Sequence, residues 1–123
     1  MRARRSKYGA VRTTVDGIMF ASKAEARRYQ ELRLLEKAGH IARLKLQQKF
    51  ELCAPFTDLR GDVRDKERMA VVGHYVADFC YDELTPAATT FRVEDVKGFR
   101  TQTYRWKKKH FERQYGIEIR ETR

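Results

Sequence analysis

Cysteine, histidine and long apolar runs are all scarce in this 123-residue chain, and each shortage excludes a class of protein. The two cysteines, Cys53 and Cys80, match neither a disulfide framework nor the close pairs of a zinc site, and the three histidines are too scattered for a metal cluster. No apolar run approaches the roughly 20 residues of a membrane-spanning helix, and the first residues lack the apolar core of a signal peptide. The sequence therefore predicts a cytoplasmic protein with reduced cysteines and no membrane partner.

Acidic residues are fewer than basic residues: the chain has 17 aspartates and glutamates and 27 lysines and arginines, which gives a net charge of +10. Such an excess indicates a polyanionic partner, most often nucleic acid. A chain of this length has room for one domain, which we assign to residues 8–123. Residues 1–7 form a basic arm whose Arg4, Arg5 and Lys7 are predicted to contact phosphates, although a solvated tail explains the same composition.

Turn and capping residues divide the first half of the chain into elements. The dipeptide Asp16–Gly17, between β-prone residues, predicts a short hairpin. A helix is expected over Ser22–Ala38, with Ser22 as its N-cap and Gly39 as its stop. Alternating apolar residues over 43–53 predict a strand, and the polar, charged stretch over 54–68 is expected to be a connecting loop.

The second half of the chain completes a recognisable order of elements. They are predicted to be strands over 68–83 and 90–98, a helix capped by Thr101 or Thr103 and ended by Gly116, and a strand over 117–121. After the hairpin the order is αβββαβ. Three antiparallel strands followed by a helical crossover predict an α/β fold with a mixed central sheet flanked by two helices.

The stretch VEDVKG, residues 93–98, places charged residues in an apolar strand. Because side chains alternate between the faces of a strand, Asp95 and Lys97 share one face and Glu94 points to the other. Glu94 is therefore expected to be a salt-bridge partner away from Asp95. Ionised groups in a sheet interior are costly unless they are paired or bind a metal, so Asp95 and Lys97 need an explanation.

A second anomaly is the acid in YVADFCY, residues 75–81. Strict alternation places Asp78 on one face with Val76 and Cys80, and Tyr75, Ala77, Phe79 and Tyr81 on the other. If the two strands pair, Asp78 and Asp95 lie side by side with Lys97. Two adjacent carboxylates need a proton or a divalent cation, and hard oxygen ligands suit Mg²⁺ or Mn²⁺. A structural charge network in the sheet is the alternative interpretation.

The motif D…(D/E)-x-K on neighbouring strands, within this order of elements, resembles the PD-(D/E)xK nuclease superfamily. Asp78 matches its first acid and Asp95-Val96-Lys97 its (D/E)-x-K, while Ala77 stands at the position of the named proline. Nearly the whole chain, from KYGAVRTTVDG through SKAEARRYQELRLLEKAG to YGIEIRE, is similar to a family of small phage and prophage proteins usually placed there. The resemblance implies a restriction-endonuclease-like core in which Asp78 and Asp95 hold Mg²⁺ or Mn²⁺ and Lys97 serves the chemistry.

Glu25 and Gln47 each have two interpretations. Ser22 and Glu25 form a capping box, and in resolvase-like members of the superfamily a glutamate of the first helix also reaches the metal. The resemblance therefore adds Glu25 to the expected catalytic and metal-binding residues. Gln47 corresponds to a glutamine typical of the resembled family, and a polar contact at a sheet edge is the simpler interpretation.

Positive charge is concentrated in the second predicted helix and just before it. The residues expected to contact nucleic acid there are Arg100, Arg105, Lys107, Lys108 and Lys109. Lys108 shares a helix face with Phe111, so it either snorkels past that ring or approaches the acids. Trp106 lies on the opposite side among cations, where it can stack on an unpaired base, cover a neighbouring loop or meet a dimer partner.

The residues and the resemblance together predict a Mg²⁺-dependent DNA endonuclease, resolvase-like, which acts on branched or otherwise structured DNA. The resemblance also implies a role in phage recombination, repair or processing in a bacterial or phage-infected cell. A small basic chain has few groups to read base edges, whereas its surface can follow phosphates and shape. A Holliday-junction resolvase needs two symmetric sites, so a homodimer belongs to this interpretation. A non-catalytic nucleic-acid-binding protein with the same fold, and an interaction protein for an acidic partner, are the alternatives.

Overall fold

Residues 12–57 and 63–123 are described by the computed structural model, with side chains at 12–55 and 69–123. The predicted basic arm, with Arg4, Arg5 and Lys7, lies outside the described residues. The elements are β1 (Thr13–Val15), β2 (Ile18–Phe20), α1 (Lys23–Lys37), β3 (Ile41–Thr57), β4 (Val63–Leu84), β5 (Thr89–Val96), α2 (Gln102–Tyr115) and β6 (Ile119–Thr122). Neither helix is long and apolar enough to cross a membrane within this part of the chain.

The main sheet has the strand order β3-β4-β5-β6. The first three strands pair antiparallel, and β6 pairs parallel to β5 after the crossover through α2. Parallel neighbours require such a crossover, whereas antiparallel ones can be joined by short turns. The predicted αβββαβ order and mixed α/β sheet are therefore confirmed, and a separate sheet of β1 and β2 precedes them.

The predicted turn and caps occur at their expected residues. Asp16 and Gly17 both have positive φ, 53° and 75°, which is the backbone that a two-residue hairpin with right-handed strand twist requires. The Oγ of Ser22 accepts a hydrogen bond from the amide of Glu25 in the first turn of α1, and the hydroxyl of Thr101 accepts one from the amide of Tyr104 in α2. Gly116 ends α2 in the left-handed conformation that favours glycine.

The predicted loop over 54–68 is wrong, because β3 and β4 continue into it from both sides. Ala54 pairs with Ala70, Pro55 with Met69 and Thr57 with Val63. The register shifts next to Pro55, where a residue without an amide donor is tolerated. Charge and proline suggested a loop, but the backbone ladder of a hairpin that projects past the other strands does not require an apolar sequence. Residues 58–62, which join the two strands, lie outside the described residues.

Two apolar cores cover opposite faces of the sheet. Beneath α1 the buried residues include Leu32, Phe79 and Tyr81. Beneath α2 they include Tyr75, Ala77, Cys80, Val93 and Phe111. The predicted face assignment in β4 is therefore wrong, since Tyr75 and Ala77 pack under α2 whereas Phe79 and Tyr81 pack under α1. The alternation is interrupted at Asp78, between the two groups.

The neighbouring strand changes face at the same level. Leu44 and Leu46 pack against the α1 core, while Leu52 and Phe50 belong to the α2 core. Gln47, between them, has a φ of +53°, and it lies opposite Asp78 because Leu46 pairs with Phe79 and Gln48 with Ala77. Irregular strand residues of this kind re-aim side chains and often lie next to active sites.

Candidate active site

Asp78 and Asp95 join β4 to β5 through their own carboxylates. The backbone amide of Asp78 donates to Asp95 Oδ1 at 2.9 Å, and the backbone amide of Val96 donates to Asp78 Oδ2 at 2.9 Å. The regular pairing of the two strands ends one step earlier, at Phe79 and Glu94. The structure thus brings the two predicted acids together, at the point where side chains replace the strand ladder.

Asp95 is almost completely buried, at 1% exposure, and the phenol of Tyr75 donates to its Oδ2. Burial and the charge of Asp78 raise the pKa of Asp95 to about 6. Burial and Asp95 in turn raise the pKa of Tyr75, so its hydroxyl stays protonated and remains a donor. Sequence analysis missed Tyr75 because strict alternation placed it on the opposite face from Asp78.

Glu25 faces the same acids from the first turn of α1. Its backbone amide bonds Ser22 Oγ at 3.1 Å, while its carboxylate accepts Gln47 Nε2 at 3.2 Å. The helix cap therefore uses the main chain of Glu25 and leaves the side chain directed to the site. Burial first, and then the charge of Asp78, raise the pKa of Glu25 to about 7, and the charge of Lys97 opposes that rise.

Gln47 links Glu25 to Asp78. Its single amide nitrogen, which carries two hydrogens, lies 3.2 Å from Glu25 Oε1 and 3.3 Å from Asp78 Oδ1. The simple edge contact expected for this residue is therefore replaced by a bridge between two acids. A left-handed backbone at a non-glycine residue is strained by about 1–2 kcal/mol, and such strain persists where the surroundings enforce it.

Lys97 follows the last residue of β5 and is positioned by β6. The strand predicted over 90–98 begins at Thr89 and ends at Val96. The amide of Lys97 donates to the carbonyl of Thr122 at 2.8 Å. Its ammonium lies 4.4 Å from the centroid of the Tyr104 ring on α2, a cation–π distance. Its charge lowers the pKa of both Glu25 and Asp95, which places the lysine beside the cluster.

A cavity of about 330 Å³ opens onto these groups from the side of the β1–β2 hairpin. Glu25, Gln47 and Asp78 line it, and the hairpin supplies an apolar wall of Ile18, Met19 and Phe20. Met19 is 65% exposed, so the wall is open to an incoming molecule. The larger groove of the protein lies elsewhere, along α2.

Glu94 is confirmed as a salt-bridge partner that faces away from Asp95. It is fully buried and accepts bonds from Arg28 of α1, at 2.5 Å to Nε and 3.1 Å to a terminal nitrogen. The hydroxyl of Tyr81 donates to it at 2.6 Å. Glu94 is thus bound into the α1 side of the sheet and takes no part in the acid cluster.

The basic residues in and before α2 that are predicted to contact nucleic acid differ in whether a carboxylate neutralises their charge. Arg100 pairs with Glu121, and Lys108 lies 2.9 Å from Glu112, so both charges are partly neutralised. Lys108 thus forms an ion pair with Glu112 on its own helix, which is neither of the two roles predicted for it. Within the described part of the chain, Arg105 and Lys109 are exposed and Lys107 is half-buried, with no carboxylate at ion-pair distance from any of the three.

The acids offer hard oxygen donors, but the pKa shifts show that their charges repel each other in this arrangement. In residues 12–57 and 63–123 no three acidic, histidine or cysteine side chains already form a metal-ligand set. The amide of Gln47 occupies the space between Glu25 and Asp78. Mg²⁺ or Mn²⁺ fits this donor set in type and charge, because a divalent cation removes the repulsion and carboxylates are its preferred ligands.

The raised pKa of Glu25 predicts that the metal-free protein loses stability as the pH rises. An acid whose pKa is about 7 folded and 4.5 unfolded holds its proton more tightly in the fold, and the resulting stability disappears as the pH rises through the folded pKa. Between those pH values we expect wild type to lose on the order of 2–3 kcal/mol relative to Glu25→Gln, which cannot ionise. Urea denaturation in EDTA at several pH values measures this; parallel curves would contradict it.

Fold and site together define a mixed α/β domain that holds three acids and a lysine at an interruption of its central sheet. The chain belongs to the family described as protein of unknown function DUF1064, whose sequence profile matches residues 5–122. No curated protein and no solved structure matches the chain significantly.

Proposed function

We propose that this protein is a metal-dependent DNA endonuclease of the PD-(D/E)xK type, with a restriction-endonuclease-like core. The observation that carries the proposal is the convergence of Asp78, Asp95, Glu25 and Lys97 from three separate elements. In a structural ion pair the neighbouring positive charge favours the ionised acid and lowers its pKa. Here three acids share one lysine, and the pKa of two acids is raised rather than lowered.

In the proposed enzyme Asp78, Asp95 and Glu25 would hold Mg²⁺ or Mn²⁺. A cation bound there would polarise the scissile phosphate and make water a better nucleophile. Tyr75 and the amide of Asp78 fix both oxygens of Asp95, so this carboxylate is already oriented. The side-chain amide of Gln47 lies between the other two acids, Glu25 and Asp78, and holds them apart. This side chain would have to turn away for both acids to bind one cation.

Lys97 is the proposed cationic partner of the reacting phosphate. The bond from its amide to Thr122 fixes its backbone, and the Tyr104 ring holds its ammonium near the acids without neutralising it. A positioned ammonium can orient water or stabilise charge that develops on the phosphate oxygens. No ion pair engages Lys97 within the described residues, so its charge is available for this role.

Branched or otherwise structured DNA is the proposed substrate. The site lies in a cavity whose apolar wall is a short hairpin, and the exposed cations Arg105 and Lys109 form a separate basic surface on α2, which does not line this cavity. Such surfaces select nucleic acid by phosphate geometry and shape. A resolvase activity would in addition require a homodimer that presents two sites.

The function is tested by incubating the protein with branched, single-stranded and linear DNA, in Mg²⁺ or in EDTA. We expect Mg²⁺-dependent nicking, strongest on the branched substrate, and none with Asp78→Asn purified in parallel. At about pH 8 Mg²⁺ should also raise the melting temperature of wild type but not of Asp78→Asn. Absence of both cleavage and metal-dependent stabilisation would refute the proposal.

A non-catalytic nucleic-acid-binding protein is the second candidate. The observation in its favour is that Asp78 and Asp95 already accept backbone and phenol hydrogen bonds, which would suffice to hold them in the fold. Retardation of DNA that is the same in Mg²⁺ and EDTA, without nicking, would identify this function. If the protein neither retards nor nicks DNA, an interaction protein for an acidic partner is the remaining candidate.

Both nucleic-acid functions predict that DNA affinity falls steeply with salt. The net charge of +10 and the exposed cations of α2 imply several phosphate contacts. Each contact contributes roughly −0.9 to the slope of log affinity against log salt on duplex DNA. Five contacts would therefore weaken binding several-hundredfold for a fourfold increase in salt, as measured by fluorescence anisotropy; an affinity that does not change with salt would contradict phosphate binding.

A further inference from the structure

A groove of about 1090 Å³ lies between α2 and the projecting part of the β3–β4 hairpin. Pro55 and Met69 contribute an apolar wall from the hairpin, and Trp106, His110 and Arg113 line it from the helix. The groove is separate from the acid cluster, which opens beside the β1–β2 hairpin.

The helix wall is held firmly against the edge strand β3. His110 Nε2 lies 2.7 Å from the carbonyl of Cys53, and Gln114 bonds both the amide of Cys53 and the carbonyl of Glu51. The hydroxyl of Tyr115 also donates to the backbone carbonyl of Glu51, at 2.8 Å. These bonds satisfy backbone groups that the outer edge of a sheet leaves unpaired, so the groove is preformed.

Trp106 is the largest exposed aromatic of this surface. It is 50% exposed although its ring packs against His110, with centroids 5.3 Å apart. Because His110 is itself bonded to Cys53, the indole is supported on one side and open to solvent on the other. In the described part of the chain it does not cover a loop, one of the roles that the sequence allowed.

The charge of the groove is positive. Lys109 and Arg113 are exposed, and no described carboxylate lies within ion-pair distance of either. Glu112 also lines the groove, but its carboxylate is bound by Lys108 and by the amide of Ile119. Exposed cations beside an open indole and an apolar wall match a ligand that carries both negative charge and a flat apolar face.

We propose that this groove binds an unpaired base of a DNA strand, which stacks on Trp106 while Lys109 and Arg113 contact the flanking phosphates. The inference rests on the proposed function, since it takes DNA as the ligand. Base–aromatic stacking beside basic residues is how proteins hold single strands. In a duplex the base faces are covered by their neighbours, and a second copy of this chain would bring its own positive charge to a positive groove.

The groove lies at a definite distance from the acid cluster. Cys53 follows Gln47 by six residues along β3, which corresponds to roughly 20 Å of strand. A DNA strand covers this distance in roughly six nucleotides at the duplex spacing of 3.4 Å each, and in fewer where it is extended. The groove would therefore hold a base within about six nucleotides of the cleaved phosphate, and this favours substrates in which a duplex opens near the cleavage site.

Trp106 is the only tryptophan of the chain, so its fluorescence reports on the groove directly. We expect an oligothymidylate of about 15 nucleotides, added in EDTA, to quench this fluorescence, and a blunt duplex to quench it far less. By anisotropy of the labelled oligonucleotide, Trp106→Leu should lose about tenfold in affinity and Trp106→Phe less. Leu34→Ala, a matched change at a 67% exposed residue of α1, should bind like wild type.

Several outcomes would overturn the proposal. They are equal quenching by duplex and single strand, unchanged affinity of Trp106→Leu, quenching by polyglutamate but not by DNA, and a Trp106-dependent association of the protein with itself. The nuclease proposal fails separately. Asp78→Asn should keep the quenching while losing cleavage. Quenching by wild type without either cleavage or Mg²⁺-dependent stabilisation would support the groove and refute the enzyme.

Discussion

Asp78→Asn should abolish Mg²⁺-dependent cleavage, by at least about a hundredfold, while the protein remains folded and binds DNA. The substitution removes one of the charges that raise the pKa of Glu25 and Asp95, so repulsion within the metal-free cluster decreases. The asparagine oxygen can still accept the amide of Val96, and its amide group would then face Gln47, whose side chain can turn to accept from it. Cleavage of a labelled branched substrate and urea denaturation measure the two effects.

Asp95→Asn should lose cleavage as well, but with less benefit to stability. Both oxygens of Asp95 accept hydrogen bonds, from Tyr75 and from the amide of Asp78, and an asparagine offers only one acceptor oxygen. Lys97→Ala should also be inactive, and its DNA affinity should be slightly lower than that of the two acid variants, since it removes a cation.

Asp82→Asn is the matched control for these acids. It removes a carboxylate from the same strand, but Asp82 pairs with the exposed Arg43 outside the cluster. We expect it to cleave like wild type. If Asp78→Asn and Asp95→Asn both cleave as Asp82→Asn does, the acids are not the catalytic site.

Glu94→Gln should cost about 3 kcal/mol of folding free energy without removing the catalytic groups. Glu94 is fully buried, and its loss would leave the guanidinium of Arg28 without its main partner, although Glu31 lies 2.9 Å away at the surface. The bond to Glu94 is the chief cause of the raised pKa of Arg28. The arginine stays charged in the variant even without this bond, because a guanidinium is not deprotonated in proteins. Urea denaturation measures the loss, and cleavage assayed where the variant is folded should be largely retained.

Two further variants separate a buried pair from ordinary surface charge. Glu83→Gln removes a partly exposed partner of Arg92 and Arg120 and should cost less than about 1 kcal/mol. Replacing Arg28 and Glu94 together by apolar residues should recover much of the stability, because no unpaired charge then remains buried. If Glu94→Gln is as stable as wild type, this ion pair does not hold α1 to the sheet.

The element order was predictable because its signals are local. Asp16–Gly17 needs only its own backbone preference to form a turn, and Ser22, Thr101 and Gly116 act on the helix ends next to them. The pairing of the second and third main strands also followed from their order, and with it the approach of Asp78 and Asp95. Charged residues in apolar strands were therefore sufficient to locate Asp78 and Asp95, whereas the role of Glu25 was expected from the resemblance.

What the sequence by itself determined are the turns, the helix caps, the strand order and the two strand acids, since each depends on neighbouring residues or on simple strand order. Tertiary structure alone decided that β3 and β4 continue through a polar segment, that both change face at Gln47 and Asp78, and that Tyr75 reaches Asp95. An alternating pattern assumes a regular strand, and it fails at Gln47 and Asp78, where packing against α1 on one face and α2 on the other decides which side chains are buried. That packing also chose Arg28 as the partner of Glu94, 66 residues away in the chain.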